Sequence, residues 1–161
     1  MSQLTSILEK ARDDRQFSGA AYVTGSAHEI FETGAVGSTA WDEGADVSLD
    51  TIWDIASLTK PIVAVQIMIL AQSGHLKLTD QISKFLPDYR DSDKAGITLQ
   101  QLLTHSSGIP GQQPLYKTAA TRQELLDAVR GLPLRSAPGS AVEYTSQGFM
   151  IVGQILEAVA G

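Results

Sequence analysis

The run at residues 62–71, IVAVQIMILA, constrains this chain more than any other feature, because only Gln66 interrupts its apolar side chains. A surface helix shows one apolar stripe, whereas a run apolar on nearly every side needs cover on nearly every side. The run is far shorter than the roughly 20 apolar residues that cross a bilayer. It therefore predicts a buried helix at the centre of a folded core. Pro61 falls close to the first helical turn, where a missing N–H costs least. Gly74 supplies the stop. At 161 residues the chain can build one real core around such a helix.

Just before that run stands Ser57-Leu58-Thr59-Lys60, an S-x-x-K pattern. At a helix start the Ser and Lys lie one turn apart on the same face, within mutual reach. A serine hydroxyl is a poor nucleophile until something takes its proton, and a partly desolvated lysine can help to do so. The same turn aims the Ser57 backbone N–H at a reacting carbonyl from the electropositive end of a helix. The plain alternatives are a capping serine at 57 and a solvated lysine at 60. The apolar neighbours Ile55, Leu58 and Ile62 favour burial of the lysine stem.

Three segments carry a wider resemblance. TIWDIASLTKPIVAVQIMILAQSGHLKLTDQI resembles the active-site segment of serine β-lactamases and penicillin-binding proteins, above all the class C β-lactamase and esterase group. LLTHSSGIP resembles the turn that follows that group's helical region, and PGSAVEYTSQGFMIVGQILE the segment bearing its catalytic tyrosine. They occur in the family's order, with Tyr144 87 residues after Ser57. The resemblance implies that Ser57 is the nucleophile, that Lys60 holds or orients its proton, and that Tyr144 is the general base for acylation and deacylation. Ser146 stands where the family carries asparagine in Y-x-N. One short hydroxyl replaces an amide with two functions, so the substrate-binding role implied for Ser146 shifts from lactam or peptide amides towards simple esters. Its plain alternative is a helix N-cap. His105, in LLTHSSG, is expected to serve a structural turn. The family's third motif, K-T-G or H-x-G on a later strand, does not follow Tyr144 here.

Elsewhere, Leu4, Ile7, Leu8 and Ala11 at helical spacing predict an amphipathic helix over residues 2–15. AAYVTGSAHEIFETGAVG predicts two short strands around a turn at 24–27. Thr98 with Gln101 and Thr121 with Glu124 fit capping boxes that open helices. Residues 147–160 predict a last amphipathic helix. With about six helices against two strands, the expected class is α/β of the α+β type. It is β-lactamase/transpeptidase-like, an antiparallel sheet flanked by helices plus a helical region, here truncated and helix-dominated. Residues 1–161 form a single partial domain on this reading. The N-terminal helix and first strands occupy 1–40, and the active-site helix and helical region 55–161.

The net charge of −6 argues against nucleic acid, which needs a basic patch. There are no cysteines, and His28, His75 and His105 are too scattered for a metal site. Asp88, Asp91 and Asp93 do not match a calcium loop and are expected to be solvated. Trp53 is expected in the core. No cofactor, metal or membrane partner is expected. The polar N-terminus lacks the apolar centre of a signal peptide, which suggests the cytoplasm and leaves periplasm or secretion open. The expected function is a serine hydrolase acting through an acyl-enzyme on carboxylic esters, or on β-lactam or D-amino-acid amides, with esters preferred. The alternative is a non-catalytic fragment or binding module. Such a piece would associate with a C-terminal half, or with a copy of itself, to complete the sheet.

Overall fold

Ser2 opens the first helix by accepting a hydrogen bond from the Thr5 N–H at 3.1 Å, which caps α1 (Gln3–Asp13). This computed structural model describes residues 2–161, in two units, one ending at Asp54 and one spanning Ile55–Gly161. In the first unit β1 (Gly19–Gly25) pairs antiparallel with β2 (Ile30–Gly37), from Gly19 opposite Gly37 to Thr24 opposite Glu32. The turn between them closes with Ser26 N–H donating to the Glu29 carbonyl at 2.8 Å. Tyr22 ties the sheet to α1. Its hydroxyl lies 2.7 Å from the Thr5 hydroxyl and 3.1 Å from that of Ser2, and it also bonds the Glu32 carboxylate. Gly34 is required there, because a Cβ would fall 2.5 Å from the Tyr22 ring. Val23, Ile30 and Phe31 on the pair are exposed. A two-stranded sheet this open is marginal alone.

The second unit starts with a 3₁₀ turn, Ala56–Leu58, that runs straight into α2 (Thr59–Gln72). Gly74, at φ +80°, ends α2 in the left-handed conformation that favours glycine, and the His75 N–H reaches back to the Leu70 carbonyl at 3.0 Å. α3 (Leu99–Leu103), α4 (Arg122–Gly131) and α5 (Ser146–Ala160) follow. The last helix packs against α2, α3 and α4. Ile67 of α2, Leu99 and Leu102 of α3, Val129 of α4 and Ile151, Val152 and Ile155 of α5 form the fully buried centre. Each contributes about 1.5–3 kcal/mol by leaving water.

The structure corrects three expectations. The run 62–71 is not a buried helix: only Ile67 is buried, and Ile62, Val65, Met68 and Ile69 are each about half exposed or more. The packing of α5 covers one flank, and the remaining apolar faces find no cover of that depth. Trp53 is 45% exposed rather than in the core. In the acidic loop Asp88, Asp91 and Asp93 are all exposed, in line with the expectation, and two of them also form ion pairs. Asp93 pairs with the buried Lys94 at 2.6 Å and accepts from the Leu134 N–H at 3.4 Å, while Asp88 pairs with Arg130. A buried ammonium requires such a partner. Finally, Thr98 and Gln101 make a full reciprocal capping box, but Glu124 accepts from the Ala120 N–H instead of that of Thr121, so α4 is capped in a looser form.

Among the described residues no helix is long and apolar enough to cross a membrane, and no cluster of histidine and carboxylate side chains is arranged to hold a metal.

Candidate active site

Ser57 lies in the middle of the 3₁₀ turn and caps nothing; neither that turn nor α2 has a side-chain cap. Ala56 before it sits at φ +44°, a conformation that L-residues rarely adopt. Lys60, on the first turn of α2, is then directly beside the serine: Nζ lies 3.2 Å from Ser57 Oγ. The same ammonium donates to Ser146 Oγ at 3.3 Å.

Tyr144 and Ser146 arrive from the start of α5, which is fixed from both sides. The N-cap is Thr145, not Ser146. Its fully buried hydroxyl accepts from the Gln147 N–H at 3.1 Å and the Gly148 N–H at 3.4 Å, and lies 3.2 Å from the Pro110 carbonyl. The Gln147 side-chain amide donates to the Gln113 carbonyl at 2.7 Å. The start of the helix is thus tied to segment 110–113. With capping done by Thr145, the Ser146 hydroxyl is turned to Lys60. Glu143 adds a further tie, accepting from the Gly111 N–H at 2.7 Å and pairing with Arg135.

These constraints put the Tyr144 hydroxyl 2.7 Å from Ser57 Oγ. The Lys60 ammonium also stands 4.9 Å from the centre of the Tyr144 ring. Hydrogen bonding from Lys60, then from Ser57, draws the Tyr144 phenol below its ordinary pKa. The structure therefore brings all four candidate residues, Ser57, Lys60, Tyr144 and Ser146, into one hydrogen-bonded group. His105 lies against it, its ring 4.6 Å from that of Tyr144.

Two clefts open beside the group. One of about 300 Å³ is lined by Gln112, Gln113, Pro114, Tyr116, Ser146, Gln147 and Met150. A smaller one of about 170 Å³ runs past Lys60, Val63, Ser146, Phe149 and Met150. A roomier cavity, about 490 Å³, is in the first unit; its serines, Ser18 and Ser38, share the lining with no lysine, tyrosine or histidine. Volume and chemistry disagree here, and a nucleophile bonded to a base is the better mark of a reacting site.

Thr145, Glu143 and the hold of His105 on Tyr144 were not legible as functional in the sequence. A Thr before a helical pattern signals a cap, but Thr145 and Ser146 compete for that position. Only the three-dimensional bonds separate them.

The beta-lactamase family model matches residues 4–161. Esterase EstB of Burkholderia gladioli is 28% identical over 99% of this chain and 45% of its own length. The octameric penicillin-binding protein homologue from Pyrococcus abyssi superposes with a TM-score of 0.83 at 25% identity, over 99% of this chain and 39% of its own. A class C beta-lactamase solved with cefoxitin gives a TM-score of 0.84 at 19% identity, over 98% of this chain and 44% of its own, a likeness of fold alone. The chain thus spans less than half the length of each of these relatives.

Proposed function

The chain belongs to the beta-lactamase family, and we propose that it carries the nucleophile of a serine hydrolase that forms an acyl-enzyme on Ser57 and prefers carboxylic esters to β-lactam or D-amino-acid amides. One observation carries this reading: Ser57 Oγ lies between two proton-handling groups, 2.7 Å from the Tyr144 hydroxyl and 3.2 Å from Lys60 Nζ.

With both partners protonated, Ser57 Oγ accepts two hydrogen bonds and is unreactive. When Tyr144 is the phenolate, the bond reverses and Ser57 donates to it. The Lys60 ammonium favours that phenolate. On attack, Oγ bonds to the ester carbonyl carbon and its proton passes to the Tyr144 oxygen. The Ser57 N–H stabilises the oxyanion. As the C–O bond breaks, the leaving alkoxide takes the proton from Tyr144. Water then repeats the sequence: its proton goes to Tyr144, its oxygen to the acyl carbon, and Ser57 recovers a proton as it leaves.

Ser146 supports the ester preference. Its hydroxyl accepts from Lys60 at 3.3 Å, as an asparagine amide oxygen could, but its one remaining proton sits on the same short side chain and lacks the reach of the separate amide N–H group that an asparagine would offer a substrate amide. The esterase among the relatives supports the same choice.

A second reading rests on the exposed apolar faces of α2. Both units form part of one partial domain that gains its cover from further chain or from another copy, as the octameric state named for the Pyrococcus abyssi relative supports.

The test is intact-mass spectrometry after treatment with a fluorophosphonate, together with nitrophenyl acetate turnover. Stoichiometric modification that disappears in Ser57→Ala is expected. Modification at another residue, or unchanged turnover in that variant, refutes the assignment.

A further inference from the structure

His105 occupies a position that a glycine would hold more cheaply. It follows the C-cap Thr104 of α3 at φ +57°, the left-handed exit where glycine is favoured and a side chain costs about 1–2 kcal/mol. What the side chain does there lies on both sides of Tyr144. The His105 carbonyl accepts from the Glu143 N–H at 2.9 Å, and its Nδ1 accepts from the Thr145 N–H at 3.2 Å. Its ring lies 4.6 Å from the Tyr144 ring at 38° and 5.3 Å from the Phe149 ring. One residue thus fixes the backbone before Tyr144, the backbone after it, and the phenol itself.

The Thr145 N–H can donate only to an unprotonated Nδ1, so the proton of the neutral ring is on Nε2. We propose that His105 is a positioning residue for Tyr144, holding the phenol on Ser57 and Lys60 only while its imidazole is neutral. The charged and titratable groups facing it are Lys60 on α2 and Tyr144 before α5. Glu143, whose N–H bonds the His105 carbonyl, has its carboxylate paired with Arg135. Phe149 of α5 adds none. Protonation would set an N–H against the Thr145 N–H and a cation beside Lys60. Burial, then the charge of Lys60, keeps the imidazole below its ordinary pKa, in the direction that preserves the neutral form at neutral pH.

The catalytic meaning rests on the serine-hydrolase reading, but the positioning can be tested without it. On the 161-residue chain, NMR follows the His105 ring protons, the Thr145 amide and the Tyr144 ring between mildly alkaline and acid pH. The expected result is one shared midpoint below about 6.5. Thr145 and Tyr144 signals that ignore the His105 titration overturn the proposal. In parallel, the rate of Ser57 modification by the fluorophosphonate is measured against pH. His105→Ala should lose about a hundredfold at neutral and mildly alkaline pH, the scale of a 1 Å misplacement, and the gap to the unsubstituted chain should close as His105 becomes protonated. His105→Asn tolerates positive φ, and its Oδ1 can stand in for Nδ1 without titrating. At neutral pH it should recover at least tenfold over His105→Ala, and its profile should lose the additional acid step that His105 protonation contributes, leaving only the limb set by Tyr144. Should the alanine variant fail to fold, the asparagine profile decides: an acid limb unchanged from that of the unsubstituted chain refutes the proposal. If Ser57 is never modified, the hydrolase reading fails and the NMR result still stands or falls alone.

Discussion

Thr145→Val tests the link between the fold and the site. The substitution keeps the side-chain shape and deletes one hydroxyl at a residue with no exposure. That hydroxyl accepts from the Gln147 and Gly148 N–H groups at the head of α5 and lies within bonding distance of the Pro110 carbonyl and Gln147 Oε1. It has one proton, so it serves one of those two acceptors at a time. Loss of the cap costs about 1 kcal/mol. Leaving one buried polar partner unsatisfied adds about 1–3 kcal/mol. The sum, about 2–4 kcal/mol, is a large share of the 5–15 kcal/mol typical of a folded domain. At about 2–4 °C per kcal/mol for a chain of this length, the midpoint should fall by roughly 5–15 °C. Thermal unfolding followed by circular dichroism measures it. Thr145→Ser is the control: it keeps the hydroxyl, loses one methyl and should cost only about 1 kcal/mol. A valine variant melting within about 1 °C of the parent would refute the view that this hydroxyl holds the α5 start.

Lys60→Met removes the main cause that lowers the Tyr144 phenol, so its ultraviolet titration should move up in pH, towards about 10. A downward or absent shift counts against the pairing. Ser146→Asn should raise β-lactam turnover relative to nitrophenyl ester turnover; an unchanged ratio means that Ser146 does not select substrate. Charge on the exposed faces of α2, as in Val65→Glu with Met68→Lys, should abolish self-association of the 161-residue chain in light scattering, and a persistent oligomer would place the contact elsewhere.

The motif order Ser57, Lys60, Tyr144 was legible because local spacing and family resemblance both act along the chain. The helices were legible for a similar reason: Thr98 with Gln101, and the apolar pattern of α5, are short-range signals. What escaped is contact between distant segments. Nothing in the run 62–71 says which faces are covered, since an all-round apolar pattern carries no direction. Nothing in the acidic loop says that Asp93 must neutralise a lysine buried by its own backbone path. At the site, the choice between Thr145 and Ser146 as N-cap depends on where Pro110 lies, a segment 35 residues earlier.

Backbone strain gives the last link between fold and chemistry. Four non-glycine residues among those described have positive φ: Arg15, Ala56, His105 and Gln112. Arg15 follows α1, whereas the other three surround the candidate site. Ala56 precedes the nucleophile, His105 clasps the phenol, and Gln112 lines the cleft that reaches Ser146. Each costs about 1–2 kcal/mol that glycine would avoid. Glycine would give back part of this gain, because its unfolded chain has more freedom, worth about 0.4–1 kcal/mol. The net penalty for a side chain is then small at each position. What the side chain secures is a narrower range of backbone angles, and here the tolerance is narrow. A hydroxyl held between a phenol at 2.7 Å and an ammonium at 3.2 Å loses both bonds if its turn swings by an ångström. Strain of this size persists only where neighbours over-determine it. At His105 those neighbours are the backbone bonds from Glu143 and Thr145, and they are the same bonds that place Tyr144.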